Sequence, residues 1–228
     1  MRNLACLTPL IVAAIVLPAP SIAAATPRET LVQAAFATSD KAAALALIND
    51  ALGKLQATLA QSPGDREARI QQGIGLGYRG QLTRSLGDAR KSRDQLTALV
   101  QQYPNDPETQ ISLGGWHMSV IADLGGFFGG TALGASRKSG LAALDRAVAL
   151  GGNHAFYPGY AGLIRLHADP KDATAPALLD RAANAGVTTE LDRILQAAAK
   201  RASARLHAGD TAGAAAIAKQ TLPFGRVI

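Results

Sequence analysis

LDRAVALGG, Leu144 to Gly152, and LDRAANAGV, Leu179 to Val187, decide the fold between them: they are alike, and they lie 35 residues apart. Each joins an apolar anchor to small residues and ends in a turn, and each follows another helical stretch. Comparable layouts surround Leu55, with a turn at Pro63, Leu96, with a turn at Pro104, and Ala215, with Pro223 closing AGDTAGAAAIAKQTLP. The anchors at 55, 96, 144, 179 and 215 are spaced by 41, 48, 35 and 36 residues. Self-similarity at such a period marks repeated supersecondary units.

The intervening sequence has helical periodicity. Between Asp40 and Gln61, Leu45, Ile48, Leu52, Leu55 and Leu59 recur at spacings of three and four, which places them on one stripe, with Lys41, Asp50 and Lys54 elsewhere. Helix signals continue along the chain, punctuated by SPGD (62–65), YPNDP (103–107), LGGN (150–153), ADP (168–170) and HAGD (207–210). Pro and Gly end helices, while Asp and Asn offer oxygens to the next helix's free N–H groups. No segment alternates with period two, so the fold is expected to be all-α.

Two helices per unit, small residues at the inter-helix contact and a Gly-Asp turn resemble the tetratricopeptide-repeat (TPR) family. The last unit carries the closest match, with Gly209 and Asp210 at the turn, Ala214 and Ala218 on the second helix, and Pro223 after it. The resemblance covers roughly residues 40 to 223. It implies stacked antiparallel helical hairpins forming a TPR-like α-solenoid with a concave, partner-binding surface. The repeats are degenerate, because the family's large aromatic on the first helix is replaced in most units by Ala, Gly or Ile. The middle unit is also lengthened, and the extra length contains GGFFGG, Gly125 to Gly130.

The N-terminus has a different character. Residues 1–25, MRNLACLTPLIVAAIVLPAPSIAAA, run from a cation at Arg2 through an apolar stretch, Leu4 to Leu17, to prolines and small residues. That is the order of a secretory signal. The apolar stretch falls short of the roughly 20 residues a span requires. Cleavage is expected after Ala25, with Ala23 the second choice, leaving residues 26–228 as a single helical repeat domain. Cys6, the only cysteine, would leave with the signal, and a thiol-free product suits an oxidising compartment. The mature chain has no second candidate for a transmembrane segment, so a periplasmic or secreted location is expected.

The formal charge is +6, but its cations occur in short groups (Arg90, Lys91 and Arg93; Arg137 and Lys138; Lys200, Arg201 and Arg205), mostly near an Asp. This is the pattern of solvated helix faces rather than of a stripe that tracks phosphates, and no nucleic-acid partner is expected.

Chemistry-bearing motifs are sparse. GIGLGYRG, Gly73 to Gly80, contains G-x-G-x-x-G at Gly75, Gly77 and Gly80, but no strand precedes it, so close helix packing through small residues is the better reading. GGTALGASRKSG, from Gly129, has Ala135 where a phosphate loop has Lys, and reads as a flexible or tightly bent loop. His117, His154, His167 and His207 lack the H-x-x-x-H spacing of a helical metal pair. Glu occurs only four times, and the pairs Asp145-Arg146, Asp180-Arg181 and Asp192-Arg193 read as helix-surface electrostatics. G-x-S-x-G and S-x-x-K are absent. The expectation is a protein that is not an enzyme and has no catalytic residues, metal or cofactor.

One region stands out. Of ten aromatic residues, six lie between Trp116 and Tyr160: Trp116, Phe127, Phe128, Phe156, Tyr157 and Tyr160. Such rings either fill the core between Ala-rich helices or build a pocket or interface. The candidate ligand- or partner-binding residues are Trp116, His117, Phe127, Phe128, Arg137, Lys138, Tyr157 and Tyr160. The expected function is a non-catalytic scaffold for a protein partner in the cell envelope. The alternative is a periplasmic carrier of a small molecule or lipid, with exported helical-repeat proteins that accompany TRAP-type solute transporters as a loose architectural analogy.

Overall fold

The structure is a computed structural model that describes residues 25–227. Apart from Ala25, the expected signal segment lies outside the described residues. Among the described residues, eleven α-helices follow one another: α1 Pro27–Val32, α2 Lys41–Gln61, α3 Arg66–Thr83, α4 Leu86–Gln102, α5 Pro107–Leu124, α6 Gly126–Leu133, α7 Arg137–Leu150, α8 Phe156–Ala168, α9 Ala175–Asn184, α10 Glu190–His207 and α11 Thr211–Thr221. A π-helical turn, Gln33–Ala37, extends α1. No strand forms among the described residues, which hold one isolated bridge between His154 and Gly186. The fold is all-α.

Every predicted punctuation point ends or starts a helix. Asp65, Asp106 and Asp210 are N-caps whose carboxylates accept backbone N–H groups, and Pro107 occupies the first turn of α5, where its missing N–H costs nothing. Gly151 and Asp169 cap the C-termini of α7 and α8. The stripe on α2 faces inward: Ile48, Leu52 and Leu55 are buried, Leu45 and Leu59 half-buried, and Lys41, Asp50 and Lys54 exposed. Burial of each such side chain contributes roughly 1.5–3 kcal/mol.

Short turns bring consecutive helices back against each other, and a second set of contacts arranges them in rows. Helices α1, α3, α5, α8 and α10 touch in succession and form an inner row. Helices α2, α4, α7, α9 and α11 pack outside them, and the anchors Leu55, Leu96, Leu144, Leu179 and Ala215 fall one on each of these outer helices. The four leucines are buried, while Ala215 is only half-buried and leaves the contact to Ala214 and Ala218.

The inner helices approach their neighbours through glycine. In α3, a Cβ at Gly73 would lie 2.9 Å from Leu96, and one at Gly75 the same distance from Leu52, so the glycine-rich stretch is a packing surface used on two sides. In α5, a Cβ at Gly114 would lie 2.9 Å from the backbone nitrogen of Leu144 and 3.0 Å from the carbonyl oxygen of Gly140. Real Cβ atoms do not sit that close to backbone.

The segment read as a loop is corrected. Of GGTALGASRKSG, residues 129–133 belong to the helix α6 and 137–140 to α7, and the tight bend is confined to Gly134, in the left-handed region at φ 68°, and the two residues after it. Tertiary contacts override the low helix propensity of the three glycines within α6. Gly129 is buried against Val120, Arg90 donates to the Ala132 carbonyl at 2.9 Å, and Arg93 donates to that of Leu133 at 2.5 Å.

The two ends of the described segment meet. After α11, the Phe224 N–H donates to the Ala35 carbonyl at 2.9 Å, and the Phe224 ring packs edge-on against Tyr78 of α3 at 5.1 Å. Phe224 adopts φ 62°, an uncommon conformation for a bulky side chain, and is nonetheless buried. The inner row therefore curves far enough for its last hairpin to touch its first.

Replacing Gly114 by Ala is expected to destabilise the protein by about 1–3 kcal/mol, because the obstruction is backbone that must move. Gly53, exposed in mid-α2 with nothing within 4 Å of where a methyl group would stand, should instead gain roughly 0.5–1 kcal/mol on substitution by Ala. Thermal melts of the two variants should shift in opposite directions.

Candidate ligand cavity inside the helical row

The curvature encloses space. A cavity of about 230 Å³, partly open to solvent, lies between α1, α3, α4, α5 and α8, with Leu191 of α10 and Pro223 reaching it from the far end of the chain. Its wall is mainly apolar, built from Leu31, Val32, Phe36, Ile74 and Ile111 among others. Polar groups interrupt it, among them Gln71, Ser112, Ser119 and the Tyr160 hydroxyl, and Arg28, Arg84, Glu108 and Asp123 bring charge to it. A second cavity, of about 620 Å³, adjoins it and shares Arg28, Val32, Glu108, Phe156 and Leu191. Apolar walls with few convergent polar groups are the usual construction of small-molecule sites.

Glycine shapes this space as well. A Cβ at Gly115 would stand 2.6 Å from the Tyr160 hydroxyl, so the bare backbone there is what lets the Tyr160 ring lie against α5. Burial pushes the Tyr160 phenol up to about 12, and burial likewise raises that of Tyr78. Both are therefore neutral hydrogen-bonding groups at physiological pH.

The wall common to both cavities is crossed by charge. Arg28 of α1 pairs with Glu67 of α3 at 2.7 Å and Glu108 of α5 at 2.6 Å, which stitches three inner helices together. Burial opposes the Arg28 charge, but the bonds to Glu108 and Glu67 more than compensate and raise its pKa. Gln71 adds a bond to Glu108 at 3.1 Å.

The sequence-predicted residues divide among five places. Trp116 and Tyr160 line the first cavity; the Trp116 indole donates to the Ala89 carbonyl at 3.1 Å, and most of its ring is buried. Tyr157 lines the second cavity, where its ring sits 4.9 Å from Phe156 and burial raises its pKa to about 12. His117 is buried behind α5, where its Nδ1 accepts the Ser136 N–H at 3.3 Å; burial first, then Arg93, lowers its pKa and keeps it neutral. Phe127 and Phe128 stand on α6 with 78% and 69% of their surface exposed. Arg137 pairs with Asp169 at 3.3 Å on the outer side of the row, and Lys138 is exposed. The aromatic cluster is thus not one site.

Several lining residues escaped the sequence reading. Leu31, Val32 and Phe36 come from the short first helix, Tyr78 from the glycine-rich stretch, and Leu191 from α10. Only the apolar content of the first helix signalled any of them, since nothing local ties residue 31 to residue 191.

The Asp and Arg that neighbour each other in sequence do not bond to one another, because adjacent helical residues point to different faces. Asp145 pairs with the buried Arg165 of α8 at 2.5 Å, and Arg193 pairs with Glu190. Asp192 is 1% exposed, and the surface reading of it is wrong. Its Oδ1 accepts the Phe156 N–H at 2.9 Å, and its Oδ2 accepts from the backbone and hydroxyl groups of Thr188 and Thr189, so one carboxylate ties the start of α8 to the start of α10.

His154 and Thr188 complete a hydroxyl–imidazole–carboxylate group beside the second cavity. Thr188 Oγ1 and Asp192 Oδ2 both approach His154 Nδ1, at 3.1 and 3.5 Å. A proton relay needs the carboxylate and the nucleophile on opposite ring nitrogens, so this arrangement does not make one. Among the described residues, no group of three or more His, Cys, Asp or Glu is placed to hold a metal ion, and no helix is long and apolar enough to cross a membrane.

Although burial opposes it, hydrogen bonding holds the Asp192 carboxyl below its usual range. Its contribution to stability is thus present above the unfolded value of about 3.9 and is lost as pH falls through the lower folded value. Asp192→Ala should cost about 1–3 kcal/mol in urea melts at pH 7, because buried N–H groups lose their acceptor, and the gap from wild type should close progressively below about pH 4. Comparison with known protein families, curated proteins and solved structures finds no match to this chain.

Proposed function

We propose that this chain is a non-catalytic helical-repeat binding protein, exported to the cell envelope, that holds an apolar or amphiphilic small molecule inside its inner row. The observation that carries the reading is the mainly apolar cavity lined by helices from both ends of the chain. Glycines at 77, 80 and 115 line it, and their missing side chains let Ser92, the Ala89 backbone and Tyr160 close in on α3 and α5. Ser112, Ser119 and Tyr160 offer an amphiphile's polar end hydrogen bonds without burying a charge. The export reading rests on the order of residues 1–25 and the loss of Cys6 with them. The resemblance to TPR proteins rests on the repeat spacing and the Gly-Asp turn of the sequence.

A second reading, a scaffold for a protein partner, is favoured by one feature. The two cavities share walls from Arg28 to Leu191, and an extended apolar segment of another protein could follow the groove they make.

Native mass spectrometry of the purified chain, followed by titration with a fluorescent fatty-acid analogue, separates the readings. The carrier reading expects a retained small molecule or saturable probe binding. Ser112→Trp, which fills the first cavity from α5, should weaken probe binding at least tenfold, about 1.4 kcal/mol, with little change in melting temperature. Equal binding by wild type and variant would place the probe elsewhere and refute the assignment of this cavity.

A further inference from the structure

Helix α6 is an excursion that the fold does not need as a connection, since α5 and α7 pack directly and extensively on each other. Its inner side is fixed by Gly129 against Val120, by the buried Leu133, and by the guanidinium groups of Arg90 and Arg93 on its last carbonyls. Its outer side presents Phe127 and Phe128, with ring centroids 5.6 Å apart, as the two most exposed large apolar side chains among the described residues. Two further large apolar residues are exposed at the cavity mouth. Leu124 lies three residues before Phe127, and Leu86 begins α4; both line the first cavity. No residue from Leu124 to Ser136 carries a charge.

Cations frame this apolar surface. Arg84 lines the same cavity mouth, Arg90 stands four residues after Leu86 on the same face of α4, and Lys91 is exposed beside it. Lys138 follows α6 at the start of α7 and is exposed. None of these four has an acidic partner at ion-pair distance among the described residues, whereas Arg93 pairs with Asp94 and Arg137 with Asp169. The neighbouring carboxylates are Asp88, engaged by Arg79, Asp94, four residues after Arg90 on α4 and engaged by Arg93, and Asp123, which accepts from Gln81 at 3.0 Å.

We propose that α6 and the first turns of α4 form a docking surface for an anionic lipid bilayer. Phe127 and Phe128 enter the boundary between headgroups and acyl chains, and Arg84, Arg90, Lys91 and Lys138 meet the lipid phosphates. Exposed rings within a cationic frame are complementary to such a surface, apolar in its depth and negative at its face. A second copy of this chain is the poorer occupant, because an isologous contact would bring the same cations against one another. Leu86 and Leu124 place the cavity mouth at the edge of the docked surface, so a bound amphiphile would have a short path to lipid. Docking itself does not depend on the cavity being occupied.

The test is co-sedimentation of the full chain with vesicles of phosphatidylcholine alone or mixed with phosphatidylglycerol. Binding is expected to the mixed vesicles only and to weaken with added salt. Phe127→Ser with Phe128→Ser, and separately Lys91→Glu with Lys138→Glu, should each reduce it by about tenfold or more, with melting temperature and binding of the fatty-acid fluorophore unchanged. Phe128→Trp gives a second readout that does not weaken the surface: its emission should shift to the blue on addition of the mixed vesicles. Equal sedimentation with both vesicle types, or full binding by the double Ser variant, would overturn the proposal. A wild-type dimer that the Ser substitutions convert to monomer, with no vesicle binding, would overturn it in favour of self-association, and capture of an acidic protein without vesicle binding would do so in favour of a protein interface.

Discussion

The approach of α5 to its neighbours, close enough that Gly114 has no room for a side chain, sets the spacing of the whole structure. Helix α5 touches α3, α4, α6, α7 and α8, so a change in its distance from α7 is passed to both halves of the inner row. Gly140 faces it from α7, with His117 and Met118 within 3.0 Å of where a Cβ would be. The same device recurs at Gly73 and Gly75 of α3 and at Gly162 of α8 against Leu179. Short interaxial distances are what allow helices as apolar and as poor in large side chains as these to exclude water, since dispersion contacts fall off steeply across any gap.

Charge supplies the connections that small apolar residues cannot specify. Arg28 holds α1 to α3 and α5, Arg165 joins α7 and α8 to the turn before α9 through Asp145 and Asp172, and Asp192 holds α8 to α10. Each is a contact between separate elements, with a defined geometry. Uniform Ala and Leu surfaces can slide over one another at little cost, whereas a buried carboxylate with five donors has one satisfactory position. Phe224 then completes the curvature by bringing the chain's end onto Ala35 and Tyr78. The cavity is the space left over when rows of unequal side chains are bent until the ends touch.

The candidate site was partly legible. Enrichment of aromatic residues pointed to the middle of the chain, and Trp116 and Tyr160 do line the cavity. Composition alone could not separate them from Phe127 and Phe128, which an intervening helix carries to the outer surface, or from His117, which turns into the core behind α5. Asp192 was misread for a related reason. A carboxylate beside an arginine in sequence reads as a solvated surface pair, and only the arrival of α8 at the start of α10 makes it a buried acceptor.

By itself the sequence determined most of the helices and where they end, α6 excepted, because capping, proline and glycine punctuation and apolar stripes act within a few residues of backbone. It also determined that no strand competes, since no stretch alternates with period two. The tertiary structure alone decided that the row bends back on itself, that Leu31 and Leu191 share a wall, and that a stretch with three glycines is a helix with both phenylalanines outside. Those outcomes depend on contacts between residues that no local rule relates, fixed by how closely glycine lets the helices approach and by which distant charge each arginine reaches.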